Sequence, residues 1–218
     1  MLALRSVPSS CAALRSASEC LACRARAFSV CSFLGSEDLA RLDALAERIA
    51  VPAGGSLIRD GDPARHVFNI TSGCVRVLKL LPDGRRQITG FLFAGDFVGL
   101  ASGDAYVFAA EAVEPVTACR FSKTAYRELM RESPALEHAL LDRATHELAA
   151  AQDQMLLLGR KTAQERIASF LLDLPSLDPA RPPAEGHVRL PMTRSEIADY
   201  LGLTIETVSR VLTKLKTQ

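Results

Sequence analysis

No apolar run in this sequence approaches the ~20 residues needed to cross a bilayer, so it reads as a soluble protein. Net charge is scarce too: 26 Lys and Arg against 25 Asp and Glu leave +1, without the global basic field of many nucleic-acid binders. Any DNA-binding surface must then be local. Six cysteines in 218 residues are too few for a disulfide scaffold. Histidine is sparse and scattered, at His66, His138, His146 and His187, which gives no support to a haem site or a catalytic histidine constellation. No nucleophile stands with a base, no glycine loop suits phosphate and no carboxylate pair stands out, so the chain is not read as an enzyme.

What remains is globular composition, 48% apolar and 23% charged, in a length that suits one large and one small domain. The first eighteen residues carry Arg5, Arg15 and several serines without an acid. That composition also fits an organellar transit peptide, but a disordered leader is the preferred reading. With no export signal the protein is expected in the cytoplasm, where grouped cysteines more often bind metal or do redox chemistry than form bridges.

A short helical pattern runs from Ser36 to Ala50. Residues 51 to 121 then change character, with Gly54-Gly55, Asp60-Gly61-Asp62, Ser72-Gly73, Pro82-Asp83-Gly84 and Gly95-Asp96 punctuating short apolar runs. Such spacing predicts antiparallel strands in a small β-barrel or roll, with Pro82-Asp83-Gly84 reversing the chain between runs 74–80 and 87–93. Helical patterning follows from Pro134 to Leu174, in one stretch from Ser133 to Leu158 and a second after Gly159. Leu141, Leu148 and Met155 recur every seven residues, and Ala144, Ala151 and Leu158 fall three after each, which forms an a/d seam. The seam either packs on its own barrel or pairs two copies of the chain; pairing is preferred, and the small alanines at one seam position would let two backbones approach closely. Pro175, Pro179, Pro182, Pro183 and Gly186 mark a linker.

Near the C-terminus, Thr193-Arg194-Ser195-Glu196 is a capping box that predicts a helix over 194–201. Gly202 ends it in a left-handed turn, and Thr204 caps a second helix running toward Leu215. Ala198 is small where the helices cross, Val208 packs between them, and Ile197, Leu201, Leu203, Val211 and Leu212 supply the buried side. This is a helix-turn-helix; an αα-hairpin without a DNA role is the bland alternative. Glu206, Ser209 and Arg210 share the opposite face, which would enter the major groove. There Arg210 can pair with guanine, Glu206 can accept from a cytosine amine and Ser209 can reach a base edge, while Thr204, Lys214 and Lys216 suit phosphate. A solvated face with a Glu206–Arg210 ion pair is the alternative.

Cys20, Cys23 and Cys31 form a C-x2-C-x7-C group, and Cys119 lies far along the chain at the end of the barrel region. Four thiolates suit one iron–sulfur centre or one zinc ion, and spacing alone does not choose between them. Cys74 is read as a small apolar residue inside a strand, and Cys11 as a free thiol in the leader.

A barrel, a heptad-bearing helix and a C-terminal helix-turn-helix, in this order over roughly residues 31 to 218, resemble the Crp/Fnr family of bacterial transcription regulators. The likeness is strongest over 192–210, whose Glu206, Ser209 and Arg210 match the reading residues of the Fnr branch. It implies an α+β fold: an N-terminal β-roll like that of cyclic-nucleotide-binding domains, a long dimerisation helix and a winged-helix type of helix-turn-helix. The segments are then 1–35 (leader and cysteine-rich segment), 36–133 (sensor roll), 134–160 (dimerisation helix) and 161–218 (DNA-binding domain). The family's β-wing has no room before Gln218, so a truncated motif is expected. Carried over, Cys20, Cys23, Cys31 and Cys119 would hold an oxygen-labile [4Fe–4S] cluster, though the gap between Cys23 and Cys31 is wider than in the best-known members.

The resemblance further implies a homodimer on a palindrome with TTGAT half-sites, with an intact cluster ordering the N-terminal segment against the roll and the long helix. Fnr-like seams often carry an acid that restrains dimerisation in air, where this chain has Ala151. The nucleotide-binding residues of the Crp branch are missing: Leu100 follows Gly99 where a glutamate is expected, and residues 104–108 offer no arginine. No cyclic nucleotide is therefore expected. RNA polymerase is an implied partner, with the turn Asp83-Gly84-Arg85-Arg86 as the candidate contact, although the residues alone read as a solvated turn.

Overall fold

The computed structural model describes residues 5–6, 19–100, 103–182 and 187–216. Cys11, Pro183 and Gly186 lie outside them. Helix α1 (Ser36–Leu45) leads into a roll of antiparallel strands: β1 (Arg5–Ser6), β2 (Glu47–Val51), β3 (Ser56–Ile58), β4 (His66–Ser72), β5 (Val75–Leu80), β6 (Arg86–Leu92), β7 (Phe97–Val98), β8 (Ala109–Ala112) and β9 (Val116–Ser122). They form two sheets, in orders β1-β2-β9-β4-β7 and β3-β8-β5-β6. Helices α2 (Lys123–Glu132), α3 (Pro134–Arg160), α4 (Ala163–Leu177), α5 (Arg194–Leu201) and α6 (Ile205–Lys216) follow.

Strand side chains alternate between faces, so each sheet has an inner and an outer set. Ile49, Phe68, Ile70 and Ala118 of the first sheet meet Ile58, Val75 and Ala110 of the second to fill the roll. Outside the first sheet, Val67, Phe97, Cys119 and Phe121 pack with α1, α2, Cys20, Cys31 and the start of α3. Outside the second, Leu78, Ile88, Phe91 and Ala109 pack with α4, α5 and α6. Helix α3 joins both outer clusters, through Leu136, Ala139 and Leu140 at one end and Leu157 at the other.

Several local readings shift. The first helix stops at Leu45 because residues 47–50 pair with β9, so tertiary pairing overrides the helical pattern. Helix α2, unforeseen, fills the space between the roll and α3, and Arg5 and Ser6 of the expected leader pair with Ala50 and Ile49. Gly159 lies inside α3, and the break falls at Lys161 and Thr162, where Thr162 and Glu165 form a capping box. Pro175 does not open a linker: α4 continues through it to Leu177, with Leu174 buried. Cys74 precedes β5 rather than lying within it, fully buried as an apolar residue would be. The seam does not pack on the roll, since Leu141, Leu148 and Met155 are 65%, 61% and 66% exposed, with Ala144 and Ala151 also exposed and Leu158 half-buried. Among the described residues no helix is long and apolar enough to cross a membrane.

Candidate functional site: a reading helix and a thiol chamber

The helix-turn-helix forms as its local chemistry dictates. The Thr193 hydroxyl accepts from the Glu196 amide at 3.2 Å while the Glu196 carboxylate accepts from the Thr193 amide at 2.6 Å. Gly202 adopts φ 62°, in the left-handed region, and lets the Leu203 amide reach the Ala198 carbonyl at 3.0 Å. The Thr207 amide then donates to the Thr204 hydroxyl at 3.3 Å, which starts α6. Ile197, Ala198, Leu201 and Val208 are buried between the helices, and Leu203, Val211 and Leu212 are partly buried beside them.

Glu206, Arg210, Lys214 and Lys216 are exposed on α6, and Ser209 is half-buried. No ion pair joins Glu206 to Arg210 among the described residues, so both stay available; Arg210 instead reaches the Thr207 hydroxyl at 3.4 Å. The Glu206 amide and the Thr204 hydroxyl hold the Glu206 carboxyl below the ordinary range, and it is ionised at neutral pH. Thr204 serves α6 as its cap, and Lys214 reaches Gln164 at 3.4 Å. The sequence reading missed Arg194, exposed at the start of α5, whose guanidinium lies 3.3 Å from the Ser209 hydroxyl and adds a cation to the reading face. A basic first residue after the capping threonine was the available signal.

The reading head is fixed to the rest of the chain in two ways. Arg166 donates to the carbonyls of Leu158 at 2.7 Å, Lys161 at 2.9 Å and Leu201 at 3.0 Å, joining the end of α3 to the end of α5. Against the roll, Phe91, Phe170 and Tyr200 form a ring cluster with centroids 5.4–6.3 Å apart. Arg76 pairs with Glu111 at 2.6 Å and with Glu196, and Arg86 pairs with Asp199 at 2.6 Å. The turn 83–86 is therefore not simply solvated: Asp83 and Arg85 pair locally, while Arg86 is spent on the helix-turn-helix.

The four cysteines converge on the outer face of the first sheet. Cross-strand partners point to one side, and the register puts Arg48 opposite Cys119, Cys119 opposite Asn69 and Asn69 opposite Phe97. This row is the floor of a chamber. Two short 3-10 turns, Arg24–Phe28 and Val30–Phe33, cover it, with Cys23 at the entry to the first and Cys31 within the second. Gly95 makes the first turn possible: at φ 102° it abuts the Phe28 carbonyl, where a Cβ would sit 2.6 Å from the oxygen. Next to it, Asp96 pairs with Arg143 of α3.

Cys20, Cys31 and Cys119 are buried and Cys23 is half-buried, all as free thiols. Burial pushes the Cys119 thiol up to about 11, and burial followed by Asp43 pushes Cys20 up to about 12. Cys20 donates to Asp43 at 3.4 Å, and Asp43 is paired with Arg48. Cys31 and Cys119 feel the charge of Cys23, and Cys20 that of Cys31 and Cys119, so the four are electrostatic neighbours. Among the described residues no three such side chains are drawn tightly enough to grip a single metal ion. The chamber thus gathers four cysteines, whose sulfurs are the donor type an iron–sulfur centre uses, without a ready-made tetrahedral cage.

In the stretch where a nucleotide-binding arginine was sought, the Tyr106 hydroxyl donates to the His66 carbonyl at 2.6 Å and accepts from its amide at 3.1 Å, which buries the ring in the roll.

Residues 48–133 match the cyclic nucleotide-binding domain family and residues 165–218 the Crp-like helix-turn-helix domain family. The nitrogen fixation regulation protein FixK of Bradyrhizobium diazoefficiens is 42% identical over 197 residues, covering 90% of this chain and 83% of that protein. The transcriptional activator protein FnrL of Cereibacter sphaeroides is 38% identical over 201 residues, 90% of this chain and 81% of its own length. The structure of FixK2 from Bradyrhizobium japonicum superposes with a TM-score of 0.73 at 40% identity, over 79% of this chain and 85% of that one. With the reading helix and the roll in place, these likenesses assign the chain to the Crp/Fnr family of DNA-binding transcription regulators, on its Fnr branch.

Proposed function

We propose that this regulator responds to oxygen, binding a palindromic site with TTGAT-like halves as a homodimer whose formation depends on a [4Fe–4S] cluster held by Cys20, Cys23, Cys31 and Cys119. One observation carries the reading: the thiol chamber is packed against α3, the helix whose middle bears the exposed seam of Leu141, Ala144, Leu148, Ala151 and Met155, with Leu158 half-buried at its end. When bound, such a cluster supplies an inorganic core that oxygen dismantles. The residues of the chain do the rest. Held sulfurs fix the two 3-10 turns over Cys119 and against Leu136 and Leu140, and Asp96 anchors Arg143, so α3 is presented in one pose. Pairing along the seam then offers two copies of Glu206, Ser209 and Arg210 to successive major grooves. Because tight binding needs both halves, a modest loss of pairing removes about 10²–10⁴-fold of affinity. Tyr106 and Phe108 occupy the roll interior, which serves as scaffold and takes no cyclic nucleotide.

Anaerobic purification followed by iron, sulfide and zinc counts, with operator binding measured before and after air, tests the proposal. Four irons per chain and binding lost in air support it. Zinc loading with air-stable binding overturns it in favour of a zinc-stabilised regulator.

A further inference from the structure

Two polar side chains of the chamber each carry an atom without a hydrogen-bond partner among the described residues. Tyr126 of α2 is 1% exposed, stacked on Phe97 at 5.2 Å and tilted against Phe121 at 5.4 Å, and its hydroxyl has no hydrogen-bond partner among the described residues. It packs in the same cluster as Cys20, Cys31 and Cys119. The phenol hydroxyl is a hydrogen-bond donor. Asn69, 4% exposed and beside Cys119 in the sheet register, donates its amide to the Cys31 sulfur at 3.6 Å, and its carbonyl oxygen has no partner among the described residues.

Buried polar groups are rarely left this way, because an unmade hydrogen bond in the interior is costly. An apolar chamber wall would use phenylalanine and leucine here, and the neighbouring Phe97 and Phe121 do just that. The Asn69 amide meets the Cys31 sulfur and the Tyr126 hydroxyl is a further donor in the same cluster; such donors are met best by sulfur that carries negative charge. Neutral thiols do not supply that charge. Thiolates bound to iron, and inorganic sulfide, do. Hydrogen bonds to such sulfurs are among the factors that set a cluster's potential and persistence.

We infer that Tyr126 and Asn69 are positioning residues for the proposed cluster, donating to its sulfur ligands from the α2 side and from the sheet side and slowing its loss. The inference rests on the cluster reading above. It gives Tyr126 opposite effects in the two states of the protein. In the empty chain the hydroxyl is an unmet group, and in the loaded chain it is a met one.

The test uses full-length protein, reconstituted anaerobically, with Tyr126→Phe and Asn69→Leu. Tyr126→Phe should raise the melting temperature of the apo chain, leave the iron and sulfide counts at wild-type values, lower the reduction potential, and speed iron release to a chelator about 10-fold or more, as loss of an outer partner of a metal ligand typically does. Asn69→Leu should likewise speed release, and if it does not fold, Tyr126→Phe alone decides. A packing role alone would lower the melting temperature of both states and leave the potential unchanged, which overturns the inference. Wild-type protein that takes up no iron and sulfide overturns the cluster reading as well, whereas loaded wild type with variants of unchanged potential and release rate overturns this inference alone.

Discussion

Both sheets of the roll bury an apolar outer face, yet one is covered by a short irregular segment rich in sulfur and the other by the folded DNA-binding domain. The covers differ in how complete they are. On the DNA-binding side the helix starts are capped, the rings of Phe91, Phe170 and Tyr200 close on one another, and Arg76 and Arg86 find carboxylates across the junction. On the thiol side the cover is two turns of 3-10 helix, which is poorly bonded and short-lived alone, lying over thiols, an orphaned hydroxyl and a half-satisfied amide. One face is closed by capped and paired residues, and the other keeps polar atoms without partners among the described residues. Regions that switch are drawn from the less stable end of a structure, and here that difference is written into the side chains.

The largest effect should come from removing a sulfur. Cys119→Ser is expected to abolish iron retention and reduce anaerobic operator affinity by about 10²-fold or more, measured by metal counts and fluorescence anisotropy. The melting profile of the apo chain should move little, because serine nearly matches cysteine in size and the apolar cluster around it is kept. The opposite face should behave in reverse: Phe170→Ala is expected to cost about 3–5 kcal/mol of unfolding free energy in urea titrations, whether or not iron is present. If both faces lost stability equally in the apo chain, the contrast would be gone.

Gly95 sharpens the comparison within the thiol face. Gly95→Ala forces a side chain into a positive-φ site against the Phe28 carbonyl and should cost about 1–3 kcal/mol, read as faster proteolysis of the 19–33 segment and weaker iron retention, with the DNA-binding domain's amide exchange unchanged. The smallest effect concerns acid. Burial would raise Glu196, but the Thr193 amide and hydroxyl and the Arg76 guanidinium outweigh it and hold the carboxyl below its ordinary value of 4.5. A carboxyl depressed on folding contributes stability above its unfolded value and loses it as pH falls through the folded one. Stability should therefore be flat near neutrality and decline below about pH 4.5, and Glu196→Gln should be less stable at pH 7 with a shallower acid decline.

Sequence patterns revealed what is local and concealed what is not. The capping box at Thr193 and the left-handed Gly202 are contacts over three or four residues, and the helix-turn-helix could be placed to the residue. The heptad spacing on α3 was legible in the sequence, and its Leu141, Leu148 and Met155 lie exposed while Leu158 packs inward. Pro175 misled because a proline signals a break by its own chemistry, whereas α4 is held by Ile167, Phe170 and Leu174 against the roll and α5. The end of α1 was lost for a similar reason, since residues 47–50 answer to β9. Cysteine spacing found the four thiols, but Asn69, Tyr126 and Asp43 joined them only through register and packing. Likewise, no pattern within residues 83–86 announces that Arg86 reaches Asp199, 113 positions away.

Arg166 grips carbonyls from the tail of α3 and the tail of α5 with one guanidinium. This planar group, together with the contacts of the reading head on the roll, holds the angle between α3 and the reading head. In a dimer built along α3, that angle fixes how far apart two heads stand. Under the proposed dimer, the number of base pairs between half-sites then depends in part on a side chain set away from the reading face, and a change at this position would retune operator spacing while leaving the preferred letters alone.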